Sequence, residues 1–309
     1  MRNKDWTLVF FTTLSQLSVG IILCFTWLVY FNSDTSFSFE LDLGLKNPVF
    51  LSLMSIGLAT TISFLHLGNP SNAPRSMNNL AGSWVSREIL ALGVYSTSLL
   101  IVLVLAWTNW NVEYLEYLLV LSSVFGLVFL WMMTRIYVIP TIPPWNSWYT
   151  GLSFISTTVC LGLITILFLH YILGCVNCDE QFINDQNVGC VTCYARFIDD
   201  QTGKYLTVSL MIILLIEIIS GFYHQTQLGR MNTGIDDLVL NKGAFYQVFL
   251  IRMVMLILAL LTLFVLLFKP GLLAEKDHFL WIYPLLVLLI AQELTGRLLF
   301  YSSYFRIGV

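Results

Sequence analysis

The residues best placed to do chemistry lie where the second long apolar run ends and the third begins. The chain reads His66-Leu67-Gly68-Asn69-Pro70, then Arg75, Asn78, Asn79, Ser83 and Ser86, and then Arg87-Glu88-Ile89. Amides, hydroxyls, Gly and Pro concentrated between two apolar spans predict an ordered polar surface at a membrane boundary. A site that oxidises a hydroquinone needs a partner for each ring oxygen, a base for the released proton and an apolar recess for a tail. A histidine at a helix end and a glutamate at the mouth of the next helix suit that task. They equally suit plain capping, His66 bonding a carbonyl and Glu88 sitting in a first turn where the helix dipole favours a carboxylate.

Other residues have two readings each. Arg135 ends an apolar span with Tyr137 just beyond; its guanidinium needs an anion or carbonyl, and it either orients a ligand or snorkels into headgroups. Glu293 and Arg297 stand four apart, the spacing of a helical ion pair, so a structural salt bridge is expected. Glu217 lies inside the sixth span as a proton carrier or as a tie to a neighbouring helix. Cys175-x-x-Cys178 and Cys190-x-x-Cys193 make two knuckles that fit zinc or iron, or one or two disulfides in an oxidising compartment. Cys24 and Cys160 sit in apolar stretches as small hydrophobes.

The elements that must position these residues are apolar. Of 309 residues, 57% are hydrophobic and 11% charged, and the mean hydropathy is +0.79. That leaves too little polar surface to coat a water-soluble globule, so lipid is the expected solvent. Eight runs meet the length of a spanning helix: Thr7–Phe31, Val49–Leu67, Ile89–Thr108, Leu115–Val138, Gly151–Gly174, Leu206–Tyr223, Phe245–Phe268 and Phe279–Tyr301. Barrel strands are shorter and alternate, so the expected fold is an all-α integral membrane bundle of about eight transmembrane helices. It forms a single domain over 1–309 with a Cys-rich loop insertion at about 175–205. The first run is longer than a signal-peptide core and reads as a retained helix. A net charge of −3 with scattered Lys and Arg excludes a nucleic-acid surface.

Eight spans put both termini on one face of the membrane, side A, together with the segments 66–87, 135–149 and 224–244. Ten Lys and Arg residues lie on side A or its helix ends and five on side B, which by the positive-inside rule makes side A cytoplasmic. Arg87, Arg135, Arg252 and Arg297 lie at helix ends or inside spans, and without them the count is six to five.

His66-Leu67-Gly68-x-Pro70, Ser86-x-Glu88-Ile89, Trp131-Met132-Met133-x-Arg135-x-Tyr137, Pro143-x-Trp145 and Glu293-Leu294-x-Gly296-Arg297 occur in order along nearly the whole chain. Together they resemble the dimethyl sulfoxide reductase anchor subunit family. The resemblance implies a bacterial inner-membrane subunit that oxidises menaquinol as substrate. It passes electrons to a ferredoxin-like iron–sulfur subunit and through it to a molybdopterin catalytic subunit, in anaerobic respiration. It assigns His66 and Glu88 to quinol oxidation, with Arg75, Arg135 and Tyr137 as quinol-binding candidates, and it turns side A, with the termini and the docking face, to the periplasm. Side B is then cytoplasmic, where a structural zinc at the four loop cysteines is the consistent reading. The family is haem-free, and four histidines at helix ends and in loops are a poor supply of axial pairs, so no haem is expected. Anchors of polysulfide, tetrathionate or selenate reductases fit the same pattern. A secondary transporter would instead gather charged groups at the midplane, and a structural tether would do no quinol chemistry.

Overall fold

The computed structural model describes residues 5–31, 37–66, 79–108, 112–181, 200–230, 243–268 and 278–304. They form eight helices: α1 (Asp5–Phe31), α2 (Phe37–His66), α3 (Trp84–Trp107), α4 (Val112–Tyr137), α5 (Trp148–Gln181), α6 (Asp200–Arg230), α7 (Gly243–Phe268) and α8 (His278–Ser302). There is no strand among the described residues. Each helix contains a stretch long and apolar enough to cross a bilayer, as backbone amides in lipid require. The expected all-α membrane bundle is the observed fold.

The bundle is built as two rings of four. In the first, α1 packs on α2, α2 on α3, α3 on α4 and α4 on α1; in the second, α5, α6, α7 and α8 close in the same way. The rings join chiefly along α1 and α5, with α8 also touching α1. The α1–α5 seam is glycine-made. A Cβ on Gly20 would overlap the Thr158 carbonyl, and one on Gly162 would overlap the Gly20 carbonyl and come 2.8 Å from Cys24 Sγ. Small residues allow this approach, which is how helices associate where lipid supplies no hydrophobic drive. Gln16 crosses the same seam, donating from Nε2 to the Phe154 carbonyl (3.1 Å). Inside the first ring, Ser18, Ser52 and Tyr95 of α1, α2 and α3 share hydrogen bonds of 2.8 to 3.2 Å.

The outside is apolar and the polar groups are inside. Leu58, Ile101, Leu121, Ile155, Ile219, Val254 and Val287 face outward, whereas Gln16, Glu217, Arg252, Gln292, Glu293 and Arg297 are buried. Outward-facing Trp6, Trp107, Tyr114, Trp148 and Trp281 stand near helix ends, the position of an interfacial aromatic belt.

Four helices begin or end elsewhere than the hydropathy pattern indicates, α3 among them. α2 starts at Phe37 and carries Pro48 inside it, so much of the expected Ser33–Lys46 connection is helical. α6 continues to Arg230 and takes in His224, since polar residues at a span's end extend the ladder as readily as apolar ones. α5 runs to Gln181, so Cys175 and Cys178 belong to its last turns. Their side chains, and Cys190 and Cys193 altogether, lie outside the described residues.

Candidate functional site

α3 begins at Trp84, one turn earlier than its apolar pattern indicates. Ser83 caps it, in extended backbone, with its hydroxyl accepting from the Ser86 amide (3.3 Å), a cap of the preferred type. Arg87 locks the approach by donating to the carbonyls of Leu80 (2.7 Å) and Ala81 (2.6 Å). Glu88 is therefore in the second turn, beyond the amides of the first, which corrects the first-turn placement. Its side chain is 9% exposed and has no hydrogen-bond partner among the described residues.

Among the described residues, the phenols of Tyr137 and Tyr301 are within electrostatic reach of Glu88. Tyr137 ends α4 and Tyr301 ends α8, so three helices from both rings converge here on side A. Tyr301 donates to Tyr137 Oη (2.8 Å), with the Thr12 hydroxyl of α1 3.5 Å away. Aromatic packing holds the pair. Tyr137 meets Trp145, Phe154 and Phe300 at centroid distances of 5.5 to 5.6 Å. Trp145 stacks on Phe300 and donates Nε1–H to its carbonyl (2.8 Å). The Pro143-x-Trp145 turn is thus a wedge that seats the end of α8 against the end of α4. The result is an aromatic cluster that carries two linked phenols and a carboxyl with no partner among the described residues, the makings of a recess for a hydroxylated or quinoid ring.

Of the residues singled out in the sequence, Glu88 and Tyr137 come together here. Arg135 does not join them. It lies against Trp84 (5.2 Å) and Trp131 (5.7 Å), where Arg87 also covers Trp84 (4.4 Å), an arrangement that stabilises a cation by ring faces. His66 is the last residue of α2; its side chain, and Arg75 altogether, lie outside the described residues. An outward groove of about 520 Å³ between α3 and α4, lined by Leu90, Val94, Ile101, Leu121 and Phe125, lies on the opposite face of α3 from Glu88.

Glu293 and Arg297 share a helical face as the spacing requires, but a hydroxyl stands between them in place of the expected direct bridge. Thr157 Oγ1 donates to Glu293 Oε2 (2.7 Å) and accepts from Arg297 Nη2 (3.1 Å). Arg297 also donates to the Ser153 carbonyl (3.0 Å) and covers the Phe154 ring at 3.9 Å. The ion pair among the described residues is Arg252–Glu217 (3.4 Å), joining α7 to α6. Gln292 bonds both of its members, and Tyr149 lies 3.5 Å from Arg252. Counting 1.5 Å per residue from the side A ends, this cluster is roughly 14 to 20 Å deep. Polar groups are therefore buried well inside the bundle as well as near the side A face. Thr157, Gln292 and Tyr301 were missed, although a glutamine beside a glutamate in an apolar span was a signal for the second.

Fold and site define a multi-span membrane protein with a cluster of buried polar and aromatic side chains toward one membrane face. The chain belongs to the DMSO reductase anchor subunit (DmsC) family, whose model matches residues 1–303. It is similar to the C subunit of the anaerobic dimethyl sulfoxide reductase of Haemophilus influenzae, 31% identical over 164 residues, 50% of this protein and 55% of that relative. It is also similar to the YnfH subunit of an anaerobic dimethyl sulfoxide reductase of Escherichia coli, 31% identical over 163 residues, 52% of this protein and 55% of the relative. The matched region thus spans little more than half the length of these curated relatives.

Proposed function

We propose that this chain is the quinol-oxidising membrane anchor of a dimethyl sulfoxide reductase-type complex in anaerobic respiration. The observation that carries this reading is Glu88, a buried carboxyl with no partner among the described residues, within electrostatic reach of the linked phenols of Tyr137 and Tyr301 on side A. A menaquinol ring enters the recess, Tyr137 and Tyr301 bond one ring oxygen, and Glu88 takes the proton of the hydroxyl nearest to it. Oxidation releases two electrons and two protons. The electrons go to the nearest cluster of a docked iron–sulfur subunit and on to a molybdopterin catalytic subunit. The second proton leaves by His66, at the end of α2, Arg75 holds the ring or the docking face, and Arg135, set against Trp84 and Trp131, holds the docking face. Side A, with the termini, is periplasmic in a bacterial inner membrane, and this subunit needs no haem.

The test compares native complex with Glu88→Gln and His66→Ala, using membranes in which assembly is confirmed. Quinol-analogue oxidation falls at least a hundredfold while reduction of the terminal acceptor by a dye is retained. Unchanged quinol oxidation with Glu88→Gln rejects the reading and leaves a structural tether. The terminal acceptor is assigned by family; polysulfide, tetrathionate or selenate as the better acceptor would move the complex, and leave the anchor's chemistry in place.

A further inference from the structure

We propose that Glu217 and Glu293 form a buried proton-binding site, one hydrogen held between the facing carboxyl oxygens of α6 and α8. Glu217 is 3% exposed and Glu293 1%. A carboxyl oxygen of each and Cys160 Sγ all lie within 4.8 Å of one another. The Oε2 atoms are engaged: that of Glu217 accepts from Arg252 and Gln292 (3.4 Å each), and that of Glu293 from Thr157 (2.7 Å). The Oε1 atoms of both are buried with no hydrogen-bond partner.

Two buried carboxylate oxygens with no N–H or O–H donor, in carboxyls this close together, are costly in a water-poor interior. A single hydrogen removes both defects, because it makes one oxygen a donor and leaves the other its acceptor. Of the nearby hydroxyls, that of Ser156 is within reach of Glu217 but donates to the Ser153 carbonyl (3.3 Å), and that of Thr157 donates to the other oxygen of Glu293. The hydrogen is shared by the two carboxyls, Glu217 keeping its ion pair with Arg252 and Glu293 its bond from the Thr157 hydroxyl.

The surrounding charges favour a proton over a metal ion. The titratable groups around the pair are Cys160 and Tyr149 on α5, His224 on α6, Arg252 on α7 and Arg297 on α8. The two guanidiniums already balance two carboxylates, so a divalent cation would leave two excess positive charges inside the bundle, and a proton one. Beyond Cys160 toward side B, α5 buries Leu161, Leu163, Ile164, Ile166 and Leu167. The hydroxyl of Thr165, buried in the same stretch, is bonded to the Leu161 carbonyl, so the hydrogen exchanges with side A and is held, not passed through.

The site stands apart from Glu88, and its test needs no quinol. Infrared spectra of the native complex at neutral pH contain a protonated-carboxyl carbonyl band that shifts in deuterium oxide. Glu293→Gln removes one such band, Glu293→Asp shifts that same band, and Glu88→Gln leaves that component in place. A native complex without such a band overturns the proposal, as does a carboxyl spectrum unchanged by Glu293→Gln. One metal ion per native chain, lost in Glu293→Gln, overturns it in favour of a metal site.

Discussion

The phenol of Tyr301 donates to that of Tyr137 over 2.8 Å, tying the side A end of the second ring to that of the first. One phenol is then left as donor or acceptor toward a ligand, and its direction is set by its partner. Removing either hydroxyl by Tyr137→Phe or Tyr301→Phe should cost about 1 kcal/mol, roughly fivefold in quinol-fed turnover. Because they act as one unit, the double variant should cost little more than either single one. Dye-fed activity is the control and stays unchanged. Additive losses in the double variant would show two independent groups, and no loss would remove the phenols from the site.

Arg252 and Glu217 pair inside the bundle, and Gly296 leaves the space that the guanidinium fills: a Cβ there would meet Arg252 Cζ at 2.7 Å. Breaking a buried pair on one side leaves a charge without compensation, typically about 3–5 kcal/mol of destabilisation, while replacing both members is much milder. Glu217→Leu should therefore lower the thermal midpoint of the detergent-solubilised complex sharply, and Glu217→Leu with Arg252→Met should recover most of it. Equal losses in the single and double variants would mean that the pair matters for something other than charge balance.

Number and kind of helices were legible in the sequence because lipid demands long apolar runs with closed backbone ladders, and all eight runs became helices. Helix ends were less legible. α3 starts at Trp84 because Ser83 caps it and Arg87 ties down two loop carbonyls, local bonds invisible to a hydropathy count, and the shift of one turn moved Glu88 from a helix mouth to a buried wall. The neighbours of Glu88 were half legible. Tyr137 stood out in a motif, but Tyr301 is phenolic in an aromatic-rich helix end, and only the packing of α8 on α1 and α5 brings it there. The Glu293–Arg297 spacing was right as geometry; what it could not carry was Thr157, from another helix, standing between them.

The cysteine knuckles are open to a direct check. If Cys175, Cys178, Cys190 and Cys193 hold zinc on a reducing side of the membrane, purified complex contains one zinc per anchor subunit. The double variant Cys190→Ser and Cys193→Ser then loses it, with quinol oxidation retained. Alkylation that finds no free thiol among the four without prior reduction, together with no zinc, would establish disulfides and turn side B outward.

The seam between the rings makes the last prediction, because it rests on two glycines that touch. Gly162→Ala puts a methyl into the Gly20 carbonyl and against Cys24 Sγ, and backbone cannot swing aside as a side chain can. Overpacking of this kind costs about 1–3 kcal/mol and pushes helices apart. α1 and α5 carry the wall of the side A recess through Thr12 and Phe154, so their separation should also loosen the Tyr137–Tyr301 contact. Gly162→Ala should lower both the thermal midpoint and quinol-fed turnover. Gly93→Ala, at a position with open space around it, should change neither. A Gly162→Ala complex as stable as native would mean that the two helices can part without harm, and that the recess does not depend on how closely the rings approach.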